Sequence, residues 1–258
     1  MDILAVAVLG FFAIGYLVLG GADIGTGMML PFLGRSDRER RLVVAAIAPF
    51  FLGNEVWLVA TVGLLAGAFP ILEARLLHAL YPAVLAVALA WVIRDMGLWL
   101  RGRVDAGAWR LICDGAIVTG SWALALSWGA ILADLLGGAA APVLAGPVTA
   151  LGAFAIAALF AAHGLTFATL RLSGPLRERA RLLSRRTGEA RAFTLTAAAM
   201  AVLGLVAGIR LSPAAAAADP ATLALLVPTV LVVTPVLVAS QAWVWRLFRH
   251  RVTAPSYL

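Results

Sequence analysis

The chain has 258 residues, 63% of them hydrophobic, and a mean hydropathy of +0.99. Soluble domains sit nearer about 45–50% apolar, so a water-soluble globular fold is excluded. The net charge of +7 rests on arginine alone, since the chain has no lysine, and those arginines lie between apolar runs. They read as membrane-topology signals and not as a nucleic-acid surface.

Seven apolar runs are each long enough to cross the roughly 30 Å hydrocarbon core of a bilayer. They fall at 3–29, 43–68, 77–99, 112–136, 144–170, 192–212 and 222–246. The expected fold class is all-α: a polytopic transmembrane helical bundle forming a single domain over 1–258. The first run has no basic segment before it, its only early charge is Asp2, and no small-residue cleavage site follows. It therefore reads as a mature helix and not as a signal peptide. It is rich in glycine, with Gly15, Gly20, Gly21, Gly25 and Gly27. Small residues let membrane helices approach closely, so span 1 is expected to be buried against its neighbours. The alternative is an irregular segment opening beside Asp23.

Eighteen of the 20 arginines sort to one side of the seven spans, leaving Arg75 and Arg210 opposite. By the positive-inside rule that side is the cytoplasm, which puts the amino terminus outside and the carboxyl terminus inside. The basic stretch 171–191 divides the spans into a first set of four (1–140) and a second set of three (141–258). The outer connections 137–147 and 212–221 are small-residue turns, too short for an outer domain. Pro49, Pro82, Pro228 and Pro235 lie inside the assigned spans and are expected to bend them, the freed carbonyls being met by neighbouring groups. The lone cysteine, Cys113, permits no internal disulfide and no Cys-x-x-Cys metal site, and reads as an apolar filler.

Two acids stand out. Asp23 lies near the end of the first run, and Glu55 lies inside the second, beside Asn54 and close to Trp57. A carboxylate in hydrocarbon costs about 2.5–3.5 kcal/mol even on lenient insertion scales, so it faces a partner, water or a neighbouring subunit. Both acids fall at similar depth on adjacent antiparallel spans, which suits proton transfer; the competing reading ties both to arginines or helix ends for packing alone. Buried histidine is the usual haem ligand of membrane helices. His163, in the middle of span 5, and His78 differ too much in depth to face one haem, and His163 is expected to be an interhelical hydrogen-bonding residue. Arg94 and Asp95, with Asp114 and Asp134, sit near span ends and read as interfacial anchors or loop partners. Trp91, Trp99, Trp109, Trp122, Trp128, Trp243 and Trp245 read largely as interfacial or lipid-facing aromatics. No phosphate loop, nucleophile elbow or His-Glu-x-x-His motif is present, so no catalytic or metal residue is assigned.

The run GYLVLGGADIGTGMMLPFLGR and the later IAPFFLGNEVWLVATVGLLAGAFP are followed by GAIVTGSWALALSWGAILADLLGG and AAHGLTFATLRLSGPLRERAR. Together, over about residues 10–190, they resemble subunit II of cytochrome bd-type quinol oxidases. The most specific part is Gly53, Asn54 and Trp57 followed by Pro70; Gly25 and His163 belong to the same matched segments. The resemblance implies a bacterial cytoplasmic-membrane protein that pairs with a larger subunit I. That partner carries haem b and haem d, oxidises quinol and reduces oxygen to water. This chain would bind no haem, would support the haem region, and would contribute to a proton route through Asp23 and Glu55. Some members hold a structural quinone, and a small extra transmembrane subunit is a further partner to expect.

The chain departs from the family pattern in span 1, where Gly20-Gly21-Ala22-Asp23-Ile24-Gly25 stands for Asp-Gly-Phe-Asp-x-Gly. It departs again at Leu52, which replaces the acid associated with proton entry, while Glu55 occupies a position where acid or amide is usual. It is shorter than typical members, which carry a further span. Two other readings remain open from the residues alone: a small-solute or ion transporter, suggested by intramembrane acids and broken helices, and a structural subunit without proton transfer.

Overall fold

The computed structural model describes residues 1–137, 146–184 and 188–254, and among them the chain is all helical with no strand. The helices are α1 (Asp2–Met28), α2 (Leu30–Leu33), α3 (Asp37–Ile47), α4 (Phe51–Ala68), α5 (Pro70–Ala79) and α6 (Tyr81–Leu100). They continue with α7 (Gly107–Gly137), α8 (Pro147–Arg171), α9 (Gly174–Ser184), α10 (Glu189–Leu211) and α11 (Pro220–Leu247). Seven of them, α1, α4, α6, α7, α8, α10 and α11, are long and apolar enough to cross a membrane. The chain is a multi-pass membrane protein. The small-residue turn expected over 137–147 falls mostly outside the described residues, as do Arg185 and Arg186.

Three expected elements differ, each for a local reason. The second run is not one helix: it breaks at Ala48–Phe50 into α3 and α4. Pro49 has no N–H to give and crowds the residue before it, which ends α3 instead of bending a continuous span. What precedes the break is an amphipathic helix, with Asp37, Arg38, Glu39, Arg40 and Arg41 leading into buried Val43–Ile47. Its start is capped by Ser36, whose hydroxyl accepts from the Glu39 N–H at 3.2 Å; an acidic first turn suits that end of the helix dipole. The third run is also split. Phe69 turns the chain, Pro70 starts α5, and Pro82 lies in the first turn of α6, where proline is tolerated, so it bends nothing. The basic stretch 171–191 is not a plain loop, since it contains the helix α9. Pro228 and Pro235 do lie inside the continuous α11.

Helix α1 runs unbroken and is nearly fully buried from Gly20 to Met28, so no irregular segment opens beside Asp23. It packs among α4, α7, α8 and α10. Its tightest crossing is with α8 at Gly25 and Gly164. A Cβ on Gly25 would overlap the Phe160 carbonyl, and a Cβ on Gly164 would overlap the backbone of Gly25. The Thr26 hydroxyl donates to Gly164 O at 3.0 Å across this crossing. Close backbone approach through small residues supplies the packing that water-driven burial cannot supply in lipid.

The two ends of the bundle differ. At the arginine-rich end, ion pairs tie the short helices to the spans. Arg101 joins Asp114 (2.5 Å) and Asp37 (2.9 Å), Arg40 joins Asp114 (3.0 Å), and Arg179 of α9 pairs with Glu39 of α3 (2.5 Å). Glu189 accepts from Arg177 and Arg251. The opposite end is closed by an apolar cluster of Ala5, Ala68, Phe69, Leu72, Ala216, Leu223 and Val227. There the Ala218 N–H donates to Ala68 O at 2.8 Å, and Asp219 caps α11 through Ala221 N and Thr222 N.

Gly25→Ala is expected to cost more than the roughly 1–3 kcal/mol that overpacking costs in a soluble core, because the clash is with backbone. Gly10→Ala, on the same helix with open space around it, is expected to be neutral. Thermal melts of both variants in detergent check this, and equal melting points would refute the crossing. The hydrogen bonds from Arg179, with a further one from the Arg35 N–H, hold the Glu39 carboxyl down at about 2 against its usual 4.5. A depressed carboxyl contributes stability that is complete above its unfolded value and is lost as pH falls through the folded one. The melting-point gap between the native chain and Glu39→Gln should therefore narrow as pH drops from about 4.5 toward about 2.

Candidate functional site

Inside the bundle, toward the arginine-rich end, α1, α4, α6 and α11 each send a polar side chain to one place. Arg94 of α6 lies at the centre with its side chain only 2% exposed. Its Nη2 contacts Asp23 Oδ1 of α1 at 2.5 Å, and Asp23 is equally buried. The second oxygen of Asp23 accepts from Asn54 Nδ2 of α4 at 2.7 Å. The same Nδ2 donates to Leu19 O at 2.9 Å, which uses both of its protons. Gln241 Nε2 of α11 donates to Asn54 Oδ1 at 2.9 Å, completing a chain across the four helices.

Two more carboxylates reach the same guanidinium. Arg94 Nη1 lies 3.0 Å from Asp95 Oδ1 and 3.5 Å from Glu55 Oε1. These acids are slightly more open, with side chains 14% and 13% exposed. Glu55 also neighbours Asp95 and Trp91 directly. The guanidinium carbon sits 5.9 Å above the Phe51 ring, and Nε has no partner among the described residues. Small residues make room: a Cβ on Gly120 of α7 would press on the Arg94 backbone, and one on Gly53 would sit 3.3 Å from Gln241 Oε1.

The expected site residues sort cleanly. Asp23, Asn54 and Glu55 meet in this cluster, with Gly53 lining it. Trp57 lies one turn further along α4, over Gly15 and against Phe11 and Phe12 at 5.2 and 5.5 Å. Gly25 serves the α1–α8 crossing, and Pro70 begins α5 at the far end. His163 is apart from the cluster. Its Nε2 meets Val18 O at 2.9 Å, so it carries the proton, and Nδ1 then accepts from Thr196 Oγ1 at 2.8 Å. The ring stacks on Phe193 at 4.8 Å. His78 is exposed on α5.

Arg94, Asp95 and Asp114 are not surface anchors. Arg94 is the core of the cluster, and Asp114 is buried beneath Arg101 and Arg40. The signal available for Arg94 is its depth: six residues before the end of α6 place it roughly 9 Å inside at 1.5 Å per residue. Gln241 lies at the same depth in α11 but carries a weaker signal, since an uncharged amide costs far less there than a guanidinium. Several tryptophans are also packed inward. Trp128 lies against Tyr16 at 5.4 Å, and Trp245 lies among Phe50, Phe167 and Phe193. Trp99 and Trp243 are the exposed ones among those expected at the lipid face.

Removing one partner of a buried ion pair leaves a stranded charge and costs roughly 3–5 kcal/mol. Arg94→Gln should lose that much unfolding free energy, and Asp23→Asn added to it should restore part of the loss. Additive losses in the double variant, measured in mixed micelles, would show that the two residues are not coupled.

A family model described as cytochrome bd terminal oxidase subunit II matches residues 1–215. Over 129 residues the chain is 36% identical to a cytochrome bd-I ubiquinol oxidase subunit 2 from Escherichia coli strain K12, covering 50% of this chain and 34% of that one. Over 185 residues it is 33% identical to a cytochrome bd ubiquinol oxidase subunit 2 from Bacillus subtilis, covering 67% and 54%. A probable cytochrome oxidase subunit 2 from Haemophilus influenzae is 34% identical over 125 residues, covering 48% and 33%. The aligned stretches thus span from a third to about half the length of these relatives.

Proposed function

The chain belongs to the cytochrome bd terminal oxidase subunit II family, and from that premise we propose that it is the haem-free second subunit of a quinol oxidase. In this reading it holds a larger subunit I, which carries haem b and haem d, oxidises quinol and reduces oxygen to water. The observation that carries the proposal is the family match over residues 1–215, which takes in Asp23, Asn54, Glu55 and Arg94 together. The relatives' names supply the quinol substrate class. The complex sits in the bacterial cytoplasmic membrane, with the arginine-rich end in the cytoplasm by the positive-inside rule.

His163, the histidine inside the bundle, is not free to hold a haem. Both nitrogens of His163 are engaged, in a fully buried setting. A groove of about 250 Å³ between α1, α4 and α11 is lined by Phe12, Leu64, Leu226 and Val230 and could take a lipid or isoprenoid chain. It suits a quinone head group poorly: Thr229 is the one polar side chain in its wall, and its hydroxyl donates to Leu225 O.

Two features support a partner and a proton role. Glu55 and Asp95 keep part of their surface open on the flank of α4 and α6, among exposed Val56, Val59, Val92 and Met96. Carboxylates facing lipid are costly, so a protein partner covering that flank relieves the exposure. The cluster also sets three carboxylates against one guanidinium. Uptake of a proton lowers that excess of negative charge, which is what a delivery route requires. Asp23, with a donor on each oxygen, serves as counter-ion to Arg94, and Glu55 is the carrier.

Purifying the tagged chain from its host in mild detergent is expected to bring down a larger helical chain, haem b and d bands in the reduced-minus-oxidised spectrum, and quinol-driven oxygen uptake. A colourless preparation without a partner would overturn the reading.

A further inference from the structure

Arg94 divides its three acids unequally. Asp23 takes Nη2, with Asn54 on its other oxygen, so each of its oxygens already accepts a donor. Glu55 and Asp95 share the single nitrogen Nη1 at 3.5 and 3.0 Å. They lie against each other, and the other polar neighbour of Glu55 is the Trp91 indole. The charged and titratable groups facing this pair are Arg94, Asp23 and Tyr16, from α6 and α1. Two carboxylates pressed together with half a guanidinium between them are the arrangement in which a proton is shared, because like charges at that range cannot both stay ionised at low cost.

We infer that Glu55 and Asp95 hold one proton between them, as an acid–carboxylate pair bridging α4 and α6, and that Asp95 is the second proton-holding residue of the site. This deepens the oxidase reading and depends on it only for where the proton goes. The pair lies close to the arginine-rich end. Asp95 is five residues before the end of α6 and Glu55 four after the start of α4, or roughly 6–8 Å in at 1.5 Å per residue. A proton entering there binds one carboxyl oxygen. On release toward the covered flank it leaves the pair with one more negative charge, which a second proton from the aqueous side restores. Asp23 stays on Nη2 and steadies Arg94.

Infrared difference spectra of the purified complex in H2O and D2O test this directly. The native chain is expected to show a protonated-carboxyl band that shifts on deuteration, and the same band is expected to vanish in both Glu55→Gln and Asp95→Asn. In each variant the surviving acid faces Nη1 of Arg94 with no second carboxylate on that nitrogen, so the shared proton is lost. A band that persists in Asp95→Asn would assign the proton to Glu55 alone and overturn the sharing, as would a native spectrum that loses no band in either variant. Should Asp95→Asn fail to accumulate, Asp95→Glu keeps the pair and must move the band, and an unmoved band also overturns it. Oxygen uptake is read separately on the same sample. A preparation with the band and no oxidase activity would remove the functional reading and leave the shared proton standing.

Discussion

One guanidinium sets the terms for this bundle. In hydrocarbon there is no water to meet a charge, and an unpaired arginine at depth costs about 2.5–3.5 kcal/mol even on the lenient scale. Arg94 is nevertheless almost completely enclosed. Its enclosure is tolerable only because α1 delivers Asp23 to one side of it and α4 and α6 deliver Glu55 and Asp95 to the other. Asn54 then locks the Asp23 carboxylate to the α1 backbone at Leu19, and Gln241 extends the chain of hydrogen bonds into α11. The relative rotation of these four helices follows from satisfying that set. An apolar bundle without it would be free to slide, since lipid tails solvate apolar faces as well as other helices do.

The glycines make the ionic cluster possible. Gly25 and Gly164 bring α1 and α8 into backbone contact, and Gly120 lets α7 rest on the Arg94 main chain. Within the cluster the exposure that remains is at Glu55 and Asp95, on α4 and α6. Away from the cluster the ion pairs between helices lie at the arginine-rich end among the described residues, where α3 and α9 are clamped by Glu39–Arg179 and Asp114 is held by Arg101 and Arg40. The opposite end closes on Phe69, Leu72 and Leu223 without an ion pair among the described residues.

The spans were legible because hydropathy measures the one constraint a membrane imposes on every residue. Their interruptions were less so. Pro49 and Pro82 look alike in sequence, yet Pro49 ends a helix and Pro82 begins one, a distinction that depends on where the preceding helix stops. Asp23, Asn54 and Glu55 stood out as polar groups at depth. Arg94 did not, because its neighbour Asp95 and the nearby span end made a surface anchor the simpler reading. Asp114 was misjudged for the same reason. Gln241 and the inward-facing Trp128 and Trp245 were less readable still, since their role comes from which face of a weakly amphipathic helix meets a neighbour.

The departure at Leu52 has a geometric consequence for the proposed proton route. Leu52 is 48% exposed on the flank of α4. Glu55 comes three residues later, which at 3.6 residues per turn keeps it within about 60° of the same face and sets it about 4.5 Å deeper. An acid moved by that step no longer meets the surface first; it meets Arg94 and Asp95. A carboxyl at the shallower position could exchange protons with water unaided. At the deeper one it needs a second acid to keep a proton within reach and a cation to keep the ionised state affordable. Asp95 and Arg94, adjacent on α6, supply those two requirements from a single turn of helix, while Asp23 keeps the cation in place. Glu55, Asp95 and the buried Arg94 therefore form one arrangement, in which changing any member alters what the other two can do.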